Sequence, residues 1–198
     1  MPLVKNGRIA EDRFVRILDD AALPDDVPVI VPAARLLADA GEFVQRSGAT
    51  GVIWPNGRNV AELVPHLDRL ALVALVFPTF KDGRAYTQAR ILREQHHFRG
   101  ELRATGQVLR DQFVLLHRAG FDAFEVSKPA DAPAFVKAVE RYSVFYQPAA
   151  DGDLTASSKR RRAVHSGALL GSEATEPARS CGQKAREDLH QGQPLHDR

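Results

Sequence analysis

One cysteine, one methionine and one tryptophan occur among 198 residues. With Cys181 as the single thiol, an intramolecular disulfide is excluded, as is a cysteine-held iron–sulfur cluster or Cys-rich zinc site within one chain. No run approaches the roughly 18 consecutive apolar residues of a membrane-spanning helix. The first residues carry Lys5, Arg8, Glu11, Asp12, Arg13 and Arg16 where a secretion signal needs an apolar segment. Charge of one sign is missing too: 27 basic and 25 acidic side chains leave a formal charge of +2. Such a balance gives no field for a general nucleic-acid or membrane binder. The expected protein is cytoplasmic, with neither a membrane nor a nucleic acid as partner.

Aromatic residues are absent from the last part of the chain. All ten Phe, the three Tyr and Trp54 lie at or before Tyr146, and beyond Pro148 the only β-branched aliphatic is Val164. A segment so composed cannot bury a core of its own. The expected organisation is one domain over residues 1–147 and a disordered polar tail over 148–198, structureless from Ala149. The Lys159-Arg160-Arg161-Arg162 run reads as a solvated part of that tail.

What is present is alternation. Asn6-Gly7 suits a tight hairpin turn, and Phe14 to Leu18 suits a strand, together forming a small N-terminal β element. Then Val27–Val31 reads as a strand, Pro32–Arg46 as a helix, and Gly51–Trp54 as the next strand. Asn59 with Glu62 three residues later offers a helix start, and Pro65 should kink or end that helix. Leu70 to Phe77 is an unbroken apolar run of strand length, the expected centre of the core. Ala85, Ala89 and Leu92 recur at helical spacing, with Tyr86, Arg90, Arg93 and His97 on another face. A short strand at Glu101–Ala104, a helix stacking Leu109, Phe113 and Leu116 and ended by Gly120, a strand at Phe121–Val126 and a helix capped by Asp131 complete the pattern, that last helix burying Phe135, Val139 and Tyr142. Strands separated by helices argue for an α/β fold with a mostly parallel sheet of about five strands. A doubly wound three-layer sandwich is the first expectation and a partial barrel the second.

Two strand-to-helix turns concentrate cationic groups. Lys81, Arg84 and Arg103 fall in or beside them, and such turns are where open α/β sheets present ligand-handling groups. Together they are expected to hold a small oxyanion such as sulfite, sulfate or phosphate. The plainer alternative pairs Arg84 with Asp82 or Asp111. Asp111, Glu101 and Glu125 are the acids available as bases, with ion pairing as their simpler role. His96 and His97 point about 100° apart on a helix and make no metal site. Ala104-Thr105-Gly106 is only a fragment of a phosphate-cradling turn, so no NAD, FAD or FMN site is indicated and the cofactor is left open.

The segment Leu70–Val126, with Phe77-Pro78-x-Phe80-x-Asp82-Gly83-Arg84-x-Tyr86 and Gly100-Glu101-Leu102-Arg103-Ala104-x-Gly106-x-Val108-Leu109-Arg110-Asp111-Gln112, resembles a bacterial family of unknown molecular function whose members are described as oxidoreductases of sulfite reduction. The likeness extends more weakly from about residue 5 to Gln147. It implies a role in assimilatory sulfur metabolism, either as a redox enzyme or auxiliary acting on sulfite or as a non-catalytic anion-binding or docking subunit for sulfite reductase. On that pattern Asp82, Gly83, Arg84, Tyr86, Arg90, Arg93, Arg103, Gly106, Arg110 and Asp111 match the family's polar positions. Gln107 stands where the family has an acidic residue.

Overall fold

A computed structural model describes residues 2–5, 8–18, 21–43, 45–140, 144–150 and 154–170. The chain divides into two compact units, Met1–Arg160 and Arg161–Arg198. The first holds one sheet of eight strands: β1 (Leu3–Lys5), β2 (Arg8–Ala10), β3 (Val15–Arg16), β4 (Val29–Pro32), β5 (Thr50–Trp54), β6 (Leu70–Phe77), β7 (Glu101–Gly106) and β8 (Ala123–Glu125). Their order is β2-β1-β8-β7-β6-β5-β4-β3. Strands β3 to β8 pair in parallel, while β1 lies antiparallel to both β2 and β8. The expected N-terminal β element is therefore built into the main sheet at both edges, which raises the count from about five strands to eight. The Asn6-Gly7 turn itself lies outside the described residues.

Sequential strand order decides between the two expected architectures. Each crossover from β3 to β8 steps in the same direction, so crossovers of one hand place every connecting helix on one face. A doubly wound sandwich needs a reversal of strand order, and this sheet has none. Burial follows suit. Val29 and Val31 of β4, Val52 and Trp54 of β5, and Val73, Leu75 and Phe77 of β6 share one core with Leu36, Leu63, Ala89, Leu92, Phe113 and Phe135 from the covering helices. The alternate residues Ile30, Leu72 and Ala74 form a separate cluster with Phe14 and Ile53, to which no helix contributes. The sheet is curled, with helices on its convex face, as in the partial-barrel alternative.

The helices are short. Helix α1 (Ala33–Ala38) ends well before the expected Arg46, where the Asp39 carboxylate takes up the Glu42 N–H at 3.2 Å and turns the chain; Val44 lies outside the described residues. Residues Val60–Arg69 form a 3-10 helix that contains Pro65 and is capped by Asn59, whose side chain accepts the Ala61 N–H at 3.0 Å. Helix α2 (Arg84–Arg90) runs into a π turn, Ile91–Gln95. A 3-10 turn, Arg110–Gln112, leads into α3 (Phe113–Arg118), which ends as expected at Gly120 with φ of +99°. A second 3-10 turn, Pro129–Asp131, precedes α4 (Ala132–Glu140), so Asp131 closes the turn and stands immediately before the helix. Phe135 is buried against Phe113 and Phe124 as expected; Tyr142 lies outside the described residues.

Within the expected tail, residues Ala156–Leu170 form α5, introduced by the Ala156 N–H bond to the Phe145 carbonyl at 2.7 Å. The second unit is described only over residues 161–170, within this helix. Cys181 and positions 171–198 lie outside the described residues.

Candidate functional site

The two motif loops leave the C-terminal ends of β6 and β7 and are tied together. Gly106 has φ of +94°, a conformation a side chain resists, and its Cβ would sit 2.4 Å from the Phe77 carbonyl oxygen. This close approach lets the Gln107 N–H reach that oxygen at 2.8 Å. The Phe80 N–H then donates to the Gln107 Oε1 at 3.3 Å, and the Gln112 Nε2 donates to the Phe80 carbonyl at 2.9 Å. Gln112 also accepts the Leu109 N–H at 3.2 Å. Gln107 thus serves as an acceptor for a backbone N–H.

Arg84 is held by Asp82. Its Nε and Nη2 donate to the carboxylate at 3.0 and 2.6 Å, and its backbone N–H adds a bond at 3.2 Å. The Arg84 hydrogen bond drives the Asp82 carboxyl well below the usual carboxylate range, and Asp82 in turn raises the Arg84 guanidinium. The expected alternative partner, Asp82, is thus the one found, and Gly83 becomes the N-cap of α2.

Arg103 does not join Lys81 and Arg84. It projects from the middle of β7 onto the concave face, where it is 1% exposed. There it donates to Asp12 at 2.7 and 3.1 Å, to Glu101 at 2.8 Å and to Glu125 at 3.4 Å. Phe14 packs under its guanidinium at 5.7 Å, Lys5 pairs with Glu101 at 2.6 Å, and the Thr105 hydroxyl donates to Glu125 at 2.6 Å. Burial alone would lower the Arg103 guanidinium, but its bonds to Asp12 and Glu101 raise it. With three carboxylates around it, Arg103 is neutralised from within the fold. Glu101 and Glu125, considered as bases from the sequence, are the counter-ions of this cluster.

Arg93 also turns inward. Its Nε donates to the Gly120 carbonyl at 3.0 Å, its Nη1 to the carbonyls of Phe98 and Gly100, and its Nη2 to Asp122. The helix face expected to carry Tyr86, Arg90, Arg93 and His97 is divided accordingly: Arg93 fastens the fold, and His97 is exposed at φ of 52°. Arg110 and Asp111 are exposed.

Lys81, Tyr86 and Arg90 come together elsewhere. They line an open cleft of about 530 Å³, with Phe80, Gly83, Gln112, Leu115, Arg118 and the backbone of 147–149 around it. Among the described residues three cations border the cleft and no carboxylate does. Arg90 pairs only with the exposed Glu94, at 3.2 Å. Arg118 donates to the Gln147 carbonyl and lies 3.8 Å over the Phe145 ring. The Tyr86 ring meets Phe77 edge-on at 5.3 Å. Burial first, and the nearby Asp111 charge second, push the Tyr86 phenol up, so it stays a hydroxyl donor at neutral pH.

Phe80, Gln112, Leu115 and Arg118 were not singled out from the sequence as site residues. Gln112 sits in the motif but its role depends on contact with a loop 32 residues away. Arg118 carried the one available signal, a cation in the last turn of a helix. Among the described residues no group of three or more His, Cys, Asp or Glu is placed to hold a metal ion, and no helix is long and apolar enough to cross a membrane.

No curated protein matches the chain. A family model described as "Bacterial protein of unknown function (DUF934)" matches residues 51–156, from β5 to the first residue of α5. The match takes in every residue that lines the cleft and leaves out Asp12 and Arg16. With more than half of its length under that match, the chain belongs to this bacterial family of unknown function.

Proposed function

We propose that the protein serves assimilatory sulfite reduction as a non-catalytic, anion-binding auxiliary that holds sulfite in the cleft between α2 and α3 and docks on sulfite reductase in the cytoplasm. The observation that carries the reading is the cleft's charge: Lys81, Arg90 and Arg118 line it, and among the described residues no carboxylate does. An anion entering it gains charge-assisted hydrogen bonds, and at Arg90 it competes only with the exposed Glu94. The proposed anion contacts accordingly move from Arg84 and Arg103, whose charge is taken up by acids, to Arg90, while Lys81 keeps its role. Sulfite and its reductase come from the sequence resemblance.

Calorimetric titration of sulfite and sulfate into the wild type, Lys81→Ala, Arg90→Ala and Arg110→Ala tests the reading. Each charge-assisted bond is worth roughly 1.5 to 3 kcal/mol, so losing Lys81 or Arg90 should weaken sulfite at least about tenfold, and losing Arg110 should change little. Equal affinities in all four proteins, or no wild-type binding at millimolar sulfite, would refute it. Visible absorption of the freshly purified protein separates this reading from the redox one: a flavin or haem band would favour an oxidoreductase.

A further inference from the structure

The cleft is built for more than an inorganic anion. About 530 Å³ lies within the range that encloses most of a small organic ligand, and a sulfite ion fills only a small part of it. Its walls also offer more than a bare ion uses. Phe80 and Leu115 line it while 47% and 62% exposed, and they are large apolar side chains on the surface beside a set of cations. An oxyanion gains nothing from either, whereas a planar ring gains from both by stacking and burial. The Lys81 ammonium stands 5.7 Å from the Phe80 ring centre, so the aromatic face and the cationic group are presented side by side. Tyr86 contributes a hydroxyl donor to the same cleft, and Arg90 on α2 a further cation.

The Phe80 loop is also fixed before any ligand arrives. Its backbone N–H and carbonyl are both held, by Gln107 and Gln112 respectively, so the exposed ring is carried on a pinned segment. Preorganised aromatic contacts of this kind lose little entropy when a ring stacks on them.

We infer that the cleft's ligand is a mononucleotide, a phosphate ester of a sugar that carries a flat heterocycle, with its anionic end on Lys81 and Arg90 and its ring against Phe80 and Leu115. The inference rests on the anion-binding reading of the same cleft and adds the body that the anion is attached to. A Gly-rich phosphate loop is not required, because side-chain cations take its place. A nucleic-acid strand is disfavoured by the near-neutral chain, whose formal charge is +2.

Calorimetry with adenosine 5′-monophosphate, ribose 5-phosphate, adenosine and sulfite on the full-length protein tests this. The monophosphate should bind at least about tenfold more tightly than ribose 5-phosphate or sulfite. Phe80→Ala and Leu115→Ala, both substitutions of exposed side chains, should each reduce that advantage while sulfite affinity stays within about twofold. Lys81→Ala should weaken the monophosphate, ribose 5-phosphate and sulfite alike. Equal binding of the monophosphate and ribose 5-phosphate to the wild type, or an undiminished advantage in both Phe80→Ala and Leu115→Ala, would overturn the inference. If sulfite binds and the monophosphate gains nothing over it, the nucleotide inference fails and the anion reading survives. If the monophosphate binds with that advantage and sulfite is silent at millimolar concentration, the sulfite reading fails and the nucleotide inference holds. Silence from all four compounds would refute both.

Discussion

Arg16 on β3 pairs with Glu125 on β8 across the concave face, although four strands separate the two in the sheet. The same arginine reaches the Thr105 hydroxyl at 3.4 Å. Side chains thus join two distant parts of a sheet that its backbone leaves open, and Glu125, 3% exposed, is the shared acceptor for Arg16, Arg103 and Thr105.

Removing that acceptor should cost more than the pair contributes. Glu125→Ala leaves the buried Arg103 with one carboxylate fewer and opens the tie to β3. The expected loss is about 3 to 5 kcal/mol, the usual result of breaking a buried pair from one side. Denaturant unfolding measures it. A loss below about 1 kcal/mol would mean that the cluster relaxes or hydrates without cost.

The cluster also predicts an acid limb. Burial opposes the Asp12 charge, but the Arg103 hydrogen bond, the Phe14 N–H and the charges of Arg103 and Arg16 outweigh it and hold the carboxyl below its ordinary value. A lowered folded value means that the stabilisation is fully present above the unfolded value, near pH 4, and disappears as the pH falls through the folded one. Asp12→Asn should therefore be less stable than the wild type at pH 6, with the gap narrowing below about pH 4. Unfolding free energies of both proteins from pH 6 to pH 2.5 check the sign; a gap that widens in acid would contradict it.

Leu75 is fully buried in the centre of β6, with Phe77 and Leu92 in the same core. Leu75→Ala should cost about 2 to 5 kcal/mol through lost burial and a cavity. Denaturant titration decides, and a change under half a kilocalorie would remove Leu75 from the core.

Strand β6 was legible because burial on both faces gives an unbroken apolar run, and the expected Leu70–Phe77 coincides with the strand. Gly51–Trp54 and Glu101–Ala104 were found within two residues of their ends for the same local reason. The curl was not legible. It shows through contacts between residues 89 and 109 positions apart, Arg16 with Thr105 and with Glu125. Arg103 misled for a related reason. Glu101, Arg103 and Thr105 alternate as a solvated strand face does, whereas here that face is enclosed and its charges cancel one another. Lys81 was placed correctly beside a strand-to-helix turn, but its neighbours in the cleft come from α2 and α3, an assembly that no local pattern records.

Gly106 should be irreplaceable. A Cβ there meets the Phe77 carbonyl oxygen at 2.4 Å and its carbon at 3.2 Å, both backbone atoms that cannot rotate away. Gly106→Ala adds the cost of a left-handed alanine, so a loss of about 1 to 3 kcal/mol or more is expected. The displaced Gln107 should also release the Phe80 loop and weaken ligand binding. Thermal unfolding reads the first effect and titration the second; an unchanged melting temperature would show that the backbone adapts.

Arg93 tests whether a motif cation belongs to the fold or to the surface. Its side chain is 14% exposed, and its fork serves three carbonyls and the Asp122 carboxylate, which also accepts the Leu102 N–H at 2.9 Å. Gly120 makes room for it, since a Cβ there would lie 2.6 Å from the Arg93 Cγ. Arg93→Ala strands several acceptors at once and should cost about 2 to 4 kcal/mol. Arg93→Lys should recover little of this, because an ammonium cannot span the acceptors that the planar fork reaches together. A double-mutant cycle with Asp122→Ala should give a coupling of about 0.5 to 3 kcal/mol, as expected for residues within one network. Full stability in Arg93→Ala would return this arginine to the outer helix face that its spacing with Tyr86 and Arg90 suggests.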